Sequence, residues 1–151
     1  MKTRQRLTAW MFVLLALLCM SATTQAAEPS RNPFAEKHVV LQLTDDDTQK
    51  QTLVLNVATN LIKHYGPDKV DIEIVAFGPG LRLMFAENAN ATRIQGLAQQ
   101  GVHFAACENT IAKMTSILGK EPVLNDNAVR VNAGVVRILD LVDEGYTLVR
   151  P

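Results

Sequence analysis

Hydrophobic and polar positions along this chain fall into two alternating rhythms. Short runs rich in β-branched and other apolar residues recur at 38–43, 70–77, 102–106, 128–133 and 146–149. Each is bounded by turn residues, which predicts five strands. Between the first two runs, Val54, Ala58, Leu61, Ile62 and Tyr65 share one face of a 3.6-residue period. Gln51, Asn56, Thr59, Asn60 and Lys63 fall elsewhere, so this segment predicts an amphipathic helix. Thr44-Asp45-Asp46-Asp47 supplies its start, a cap residue with acids in the first turn, and Gly66-Pro67 its end.

A second helix is predicted over 91–100, closed by Gly101. A third follows Cys107-Glu108-Asn109-Thr110, with Ile111, Met114, Ile117 and Leu118 inward and Gly119 as its stop. Residues 121–127, with Pro122, form a loop, and Gly134 opens a last helix through Leu141 and Val142 to Gly145. Leu81, Leu83, Met84 and Phe85 cluster without a clear period, which fits either core packing or a subunit contact. Strands alternating with helical crossovers imply a parallel sheet covered on both faces. Right-handed crossovers make that a doubly wound α/β layer structure.

The chain before the first strand reads differently. Lys2, Arg4 and Arg6 precede an uncharged, mostly apolar run over 7–20, and small or polar residues follow through Ala26 and Ala27. Those are the parts of a secretory signal peptide, cut near Ala26 or Ala27. The run, about 14 residues, is short of the roughly 20 that span a bilayer. The expected organisation is a leader over 1–26, a flexible polar arm over 27–37 and one α/β domain over 38–151. The expected location is the periplasm or the exterior.

Composition changes once the leader is set aside. The full chain of 151 residues is neutral, with 15 Lys and Arg against 15 Asp and Glu. The leader holds three of the bases and none of the acids, so the mature chain carries about −3. A mildly acidic domain lacks the basic footprint of a nucleic-acid binder. Of the two cysteines, Cys19 leaves with the leader. The remaining Cys107 cannot form an internal disulfide, which excludes a disulfide-stapled secreted scaffold.

In a parallel sheet, ligands gather at the carboxyl ends of the strands. The residues expected there are Asp45 to Asp47 after the first strand and Gly78-Pro79-Gly80 with Arg82 after the second. Cys107 to Thr110 follow the third, and Ala133-Gly134 the fourth. Cys107 thus falls on the rim and at a helix start, where free N–H groups and the helix dipole favour a thiolate. Glu108 and the Asp45 to Asp47 group oppose a further negative charge. A buried thiol that merely packs is the plainer alternative.

No histidine is placed to activate the thiol. His103 precedes Cys107 by four residues on one strand, about 13 Å at roughly 3.3 Å per residue. His38 and His64 fall at the opposite rim. No spacing of His, Cys, Asp and Glu suggests a metal site, and no cofactor motif is present. Gly78-Pro79-Gly80 fits either a tight turn or a weak anion cradle.

Four segments carry a family resemblance. They are Val75-Ala76-Phe77-Gly78-Pro79-Gly80-Leu81-Arg82-Leu83, Gly101-Val102-His103-Phe104-Ala105-Ala106-Cys107-Glu108-Asn109-Thr110, Val131-Asn132-Ala133-Gly134-Val135-Val136-Arg137-Ile138 and Glu144-Gly145-Tyr146-Thr147-Leu148-Val149-Arg150-Pro151. In order and spacing the chain resembles the DsrE/DsrF-like family, with Cys-x-Asn-Thr after the third strand as the most telling piece. The resemblance implies a three-layer α/β/α fold with a five-stranded parallel sheet and assembly into homo- or hetero-oligomers such as trimers or hexamers, a homo-oligomer being expected here. It also implies that Cys107 carries sulfur as a persulfide between a donor and an acceptor protein.

Two main expectations about function follow. The first is an exported sulfur-relay carrier on Cys107, with Asn109 and Thr110 stabilising the thiolate and Gly78, Gly80 and Arg82 completing the site. The second is a non-catalytic oligomeric module that holds a small molecule or peptide at the same rim. A redox role would need a partner's thiol, because the chain offers no resolving cysteine.

Overall fold

The computed structural model describes residues 31–151, and the expected leader and its cleavage site lie outside them. Five strands form one all-parallel sheet in the order β4-β3-β2-β1-β5. They are β1 (Lys37–Leu43), β2 (Val70–Ala76), β3 (Val102–Cys107), β4 (Ala128–Val131) and β5 (Thr147–Val149). The crossovers are α1 (Thr48–Tyr65), α2 (Ala91–Ala98), α3 (Glu108–Leu118) and α4 (Gly134–Asp143). This is the expected α/β class, with helices on both faces of the sheet.

Crossover handedness decides which helix covers which face. From β1 to β4 each step moves the same way across the sheet, so right-handed crossovers put α1, α2 and α3 on one face. The return from β4 to β5 runs the other way and puts α4 alone on the second face. The core divides accordingly. Leu41, Ile72, Ile74 and Phe104 of the sheet pack with Leu55, Ile94 and Ile111 of the three helices. On the second face Val40, Val75 and Ala105 meet Ile138, Leu141 and Tyr146.

Several local expectations are corrected. The acids at 45–47 precede α1 rather than filling its first turn: Asp47 is the N-cap and accepts from the N–H groups of Gln49 and Lys50. The apolar cluster Leu81, Leu83 and Met84 lies in a 3-10 segment over Gly78–Met84 and is fully buried, so it is core and not a subunit contact. Tyr65 is exposed, and so are Ile117 and Leu118, at 69% and 49%. The last turn of α3 therefore leaves these two side chains largely in solvent. Strand β4 stops at Val131, two residues early, and β3 extends through Cys107.

Residues 31–36, part of the polar arm, lie against the amino ends of the strands. The Asn32 backbone N–H donates to Asp71, and its side chain donates to the Asp68 carbonyl. Arg31 donates to the Tyr146 hydroxyl, lies 4.9 Å above that ring's centre and pairs with Glu144 at 2.9 Å.

Candidate functional site

The loops after β3 and β4 lead to helices on opposite faces of the sheet. Such a divergence opens a crevice at the carboxyl ends of two neighbouring strands. Cys107 and Val131 are register partners at the end of that strand pair. Strand alternation turns Cys107 to the same side as Ala105, towards α4. The starts of both α3 and α4 therefore converge on one thiol.

Cys107 occupies the N-cap position of α3 without closing a capping hydrogen bond of its own. Burial, with 5% of the residue exposed, pushes its pKa up. Four donors turned towards the sulfur outweigh that effect: the Thr110 hydroxyl, then the backbone N–H groups of Gly134, Thr110 and Asn109. The net result is a thiol held below its ordinary pKa. Neither Arg82 nor the acids Glu108 and Asp45 to Asp47 are among the largest influences on it. Glu108 is already paired with Arg130 at 3.2 Å.

Thr110 is the hinge of this arrangement. Its hydroxyl oxygen accepts from the Gly78 N–H at 3.0 Å, which leaves the hydroxyl proton to face the sulfur. Gly78 itself needs glycine, since its φ of +55° lies in the left-handed region. Gly80 serves a different purpose. A Cβ there would stand 2.5 Å from the Leu43 carbonyl oxygen, and its N–H donates to the Thr44 carbonyl. Both glycine N–H groups are thus engaged within the protein, and the segment is a tight turn rather than an open anion cradle.

Gly134, expected on the rim after the fourth strand, is the thiol neighbour that sequence reasoning did not assign. A Cβ on Gly134 would stand 2.9 Å from the Phe77 ring, so glycine lets the start of α4 come this close without displacing Phe77. The signal was present as a glycine at a helix start after a strand. What made it a thiol neighbour was the pairing of β3 with β4. The orientation of α4 is further fixed by Arg137, which holds Glu73 of the central strand at 2.7 and 2.9 Å. Both partners are largely buried.

Arg82 stands apart from the thiol. Its Nε lies 3.7 Å from an Asp46 carboxylate oxygen, and it lines a cleft with Gly78, Pro79 and Thr110. The other wall of this cleft is α3, through Lys113, Met114, Ile117 and Leu118. The sequence-expected residues therefore split in two. Asn109 and Thr110 attend the sulfur, whereas Gly78 and Arg82 open onto the adjoining cleft, and Thr110 belongs to both.

The histidines stay away from the thiol. His103 Nε2 lies 3.8 Å from Asp71, and the His38 ring packs 5.1 Å from that of Tyr146. Among the described residues no group of three or more His, Cys, Asp and Glu could hold a metal ion. Among them, too, no helix is long and apolar enough to cross a membrane.

No protein-family model matches the chain, and no curated protein matches it. Among solved structures it is similar to MTH1491, a protein of unknown function from Methanobacterium thermoautotrophicum. The two are 27% identical with a TM-score of 0.70, over 77% of this chain and 100% of that one. The likeness supports the fold and is silent on activity.

Proposed function

We propose that this protein is an exported DsrE/DsrF-like sulfur carrier that holds sulfane sulfur on Cys107. The observation that supports it is one thiol, held below its ordinary pKa, in the crevice where two crossovers diverge. A thiolate there attacks the outer sulfur of a donor persulfide, R–S–SH. The donor's S–S bond breaks, R–S⁻ departs, and Cys107 keeps the outer sulfur and its proton as Cys–S–SH. A bound sulfur is exchanged for a leaving thiolate, and no net electron is gained or lost. Transfer onward is the same step with an acceptor thiolate as the attacker. The backbone N–H groups of Gly134, Asn109 and Thr110 stabilise the anion before and after each step.

The test is intact-mass measurement after incubation with a sulfane-sulfur donor such as polysulfide. The wild type is expected to gain the mass of one sulfur atom, reversible by dithiothreitol, and Cys107→Ser to gain none. A wild type that gains nothing removes the carrier reading and leaves Cys107 as a packing residue.

A second reading is favoured by the cleft beside Thr110, which lies apart from the sulfur. It makes the protein a binding module whose ligand affinity survives Cys107→Ser. Either reading fits a homo-oligomer assembled through the outer surface of α4, where Val135, Val136, Leu139 and Val142 are exposed. Sedimentation of the wild type against Leu139→Asp tests that assembly.

A further inference from the structure

The cleft between the 3-10 segment and α3 combines an apolar wall with surplus positive charge. It encloses about 280 Å³, close to the lower end of ligand sites, about 300 Å³. Met114, Ile117 and Leu118 form one side and Pro79 part of the other. Ile117 and Leu118 are apolar side chains that the domain itself leaves in water.

The charges at its edge are two cations and one carboxylate: Arg82, Lys113 and Asp46. Arg82 and Asp46 are both half exposed and meet only at 3.7 Å. The Lys113 ammonium makes no hydrogen bond or ion pair among the described residues. Three other grooves among the described residues lack this combination, and the one that shares Arg82 and Asp46 adds a second carboxylate, Glu87. The groove beside β4 and α4 has two arginines, but Arg130 is committed to Glu108 and Glu121, and Arg137 to Glu73. The groove along α1 is lined by Thr48, Gln49, Thr52, Leu53 and Asn56 and holds no charge.

We propose that this cleft binds a small soluble organic anion with an aliphatic body. The carboxylate or sulfonate head lies between Lys113 and Arg82, and the body lies along Met114, Ile117 and Leu118. The size admits a chain of several carbons and excludes a folded partner. The inference deepens the reading of this rim as the working site, since Thr110 lines the cleft and also faces Cys107.

Calorimetric titration of Cys107→Ser tests it apart from any sulfur chemistry, because that variant has no thiol to carry sulfur and Cys107 does not line the cleft. Hexanoate, octanoate and octane-1-sulfonate are expected to bind, with about fourfold tighter binding per added methylene. Lys113→Met, which keeps the stem and loses the charge, is expected to weaken octanoate about three- to fivefold. Ile117→Asp is expected to abolish it. Equal binding of hexan-1-ol or octyltrimethylammonium overturns the proposal, as does unchanged affinity in Lys113→Met. So does sedimentation with phosphatidylglycerol vesicles when octanoate does not bind, which would make the surface a membrane contact. A wild type that binds no anion, and whose oligomer dissociates on Ile117→Asp, assigns the cleft to a second copy and also overturns it.

Discussion

The two faces of the sheet are covered in different ways. Three helices lie on the first face and close a dry core around Leu41, Ile72, Ile74 and Phe104. One helix lies on the second, whose sheet surface carries Asp71 and Glu73 on the same central strand as the apolar core residues. The first face is held by burial of hydrocarbon. The second depends in part on a buried ion pair, Glu73 with Arg137, and leaves much of α4 exposed. A face held by shape complementarity tolerates little change in volume, whereas one held by charge tolerates little change in partner. Cys107 lies on the boundary between them, where the last two crossovers part.

The largest effects should separate the faces by mechanism. Phe104→Ala on the first face is expected to cost about 3–5 kcal/mol in urea unfolding, through the cavity it leaves. Arg137→Met on the second is expected to cost a similar 3–5 kcal/mol, because Glu73 is left buried without its partner. Adding Glu73→Leu to Arg137→Met should restore most of that loss. A double variant no more stable than the single would mean that packing, and not charge, governs the second face as well.

Glycine replacements sharpen the contrast at the rim. Gly80→Ala drives a Cβ into the Leu43 backbone, with a 2.5 Å approach to its carbonyl oxygen. An expected loss of about 1–3 kcal/mol follows from overpacking against a group that cannot turn aside. Gly134→Ala meets the Phe77 side chain, which can shift, and is expected to cost less. Thermal unfolding of the pair ranks them, and a larger loss at Gly134 would show Phe77 to be as fixed as the strand end.

The thiol supplies a smaller effect with a defined sign. A pKa held below the ordinary thiol value means that the fold favours the thiolate. Its contribution to stability is fully present above the thiol's unfolded pKa, and is lost as pH falls through the lower folded value. Alkylation of Cys107 should therefore reach half its maximal rate below the midpoint of the unfolded chain. Thr110→Val should raise that midpoint by removing the hydroxyl that faces the sulfur. An unmoved midpoint would transfer the effect to the backbone N–H groups alone. Smallest of all, Leu139→Ser on the exposed side of α4, where the residue is 58% exposed, should change the stability of the isolated chain by no more than about 0.5 kcal/mol.

Much of the candidate site was legible in the residues. Among the described residues the one thiol follows a strand and precedes a helix and so marks itself by order, and Thr110, the third residue of that helix, stands where a first-turn donor should. The role of Gly134 was not legible, because it acts across a strand pair formed by segments about 25 residues apart. Ile117 and Leu118 misled for a related reason: helical period shows which residues share a face, and not how far the partner surface extends.

The sequence by itself determined the five strands, the order of the crossovers and the thiol of Cys107 at a helix start. Those are local properties, set by side-chain period, turn residues and capping, and each is decided within a dozen residues. Tertiary structure alone decided that β5 lies beside β1 and sends α4 to the far side. It also decided that Gly134 reaches Cys107, and that an apolar cleft with spare positive charge lies beside Thr110. These are contacts between distant segments, and their geometry follows from sheet order and crossover handedness, which no local pattern of residues encodes.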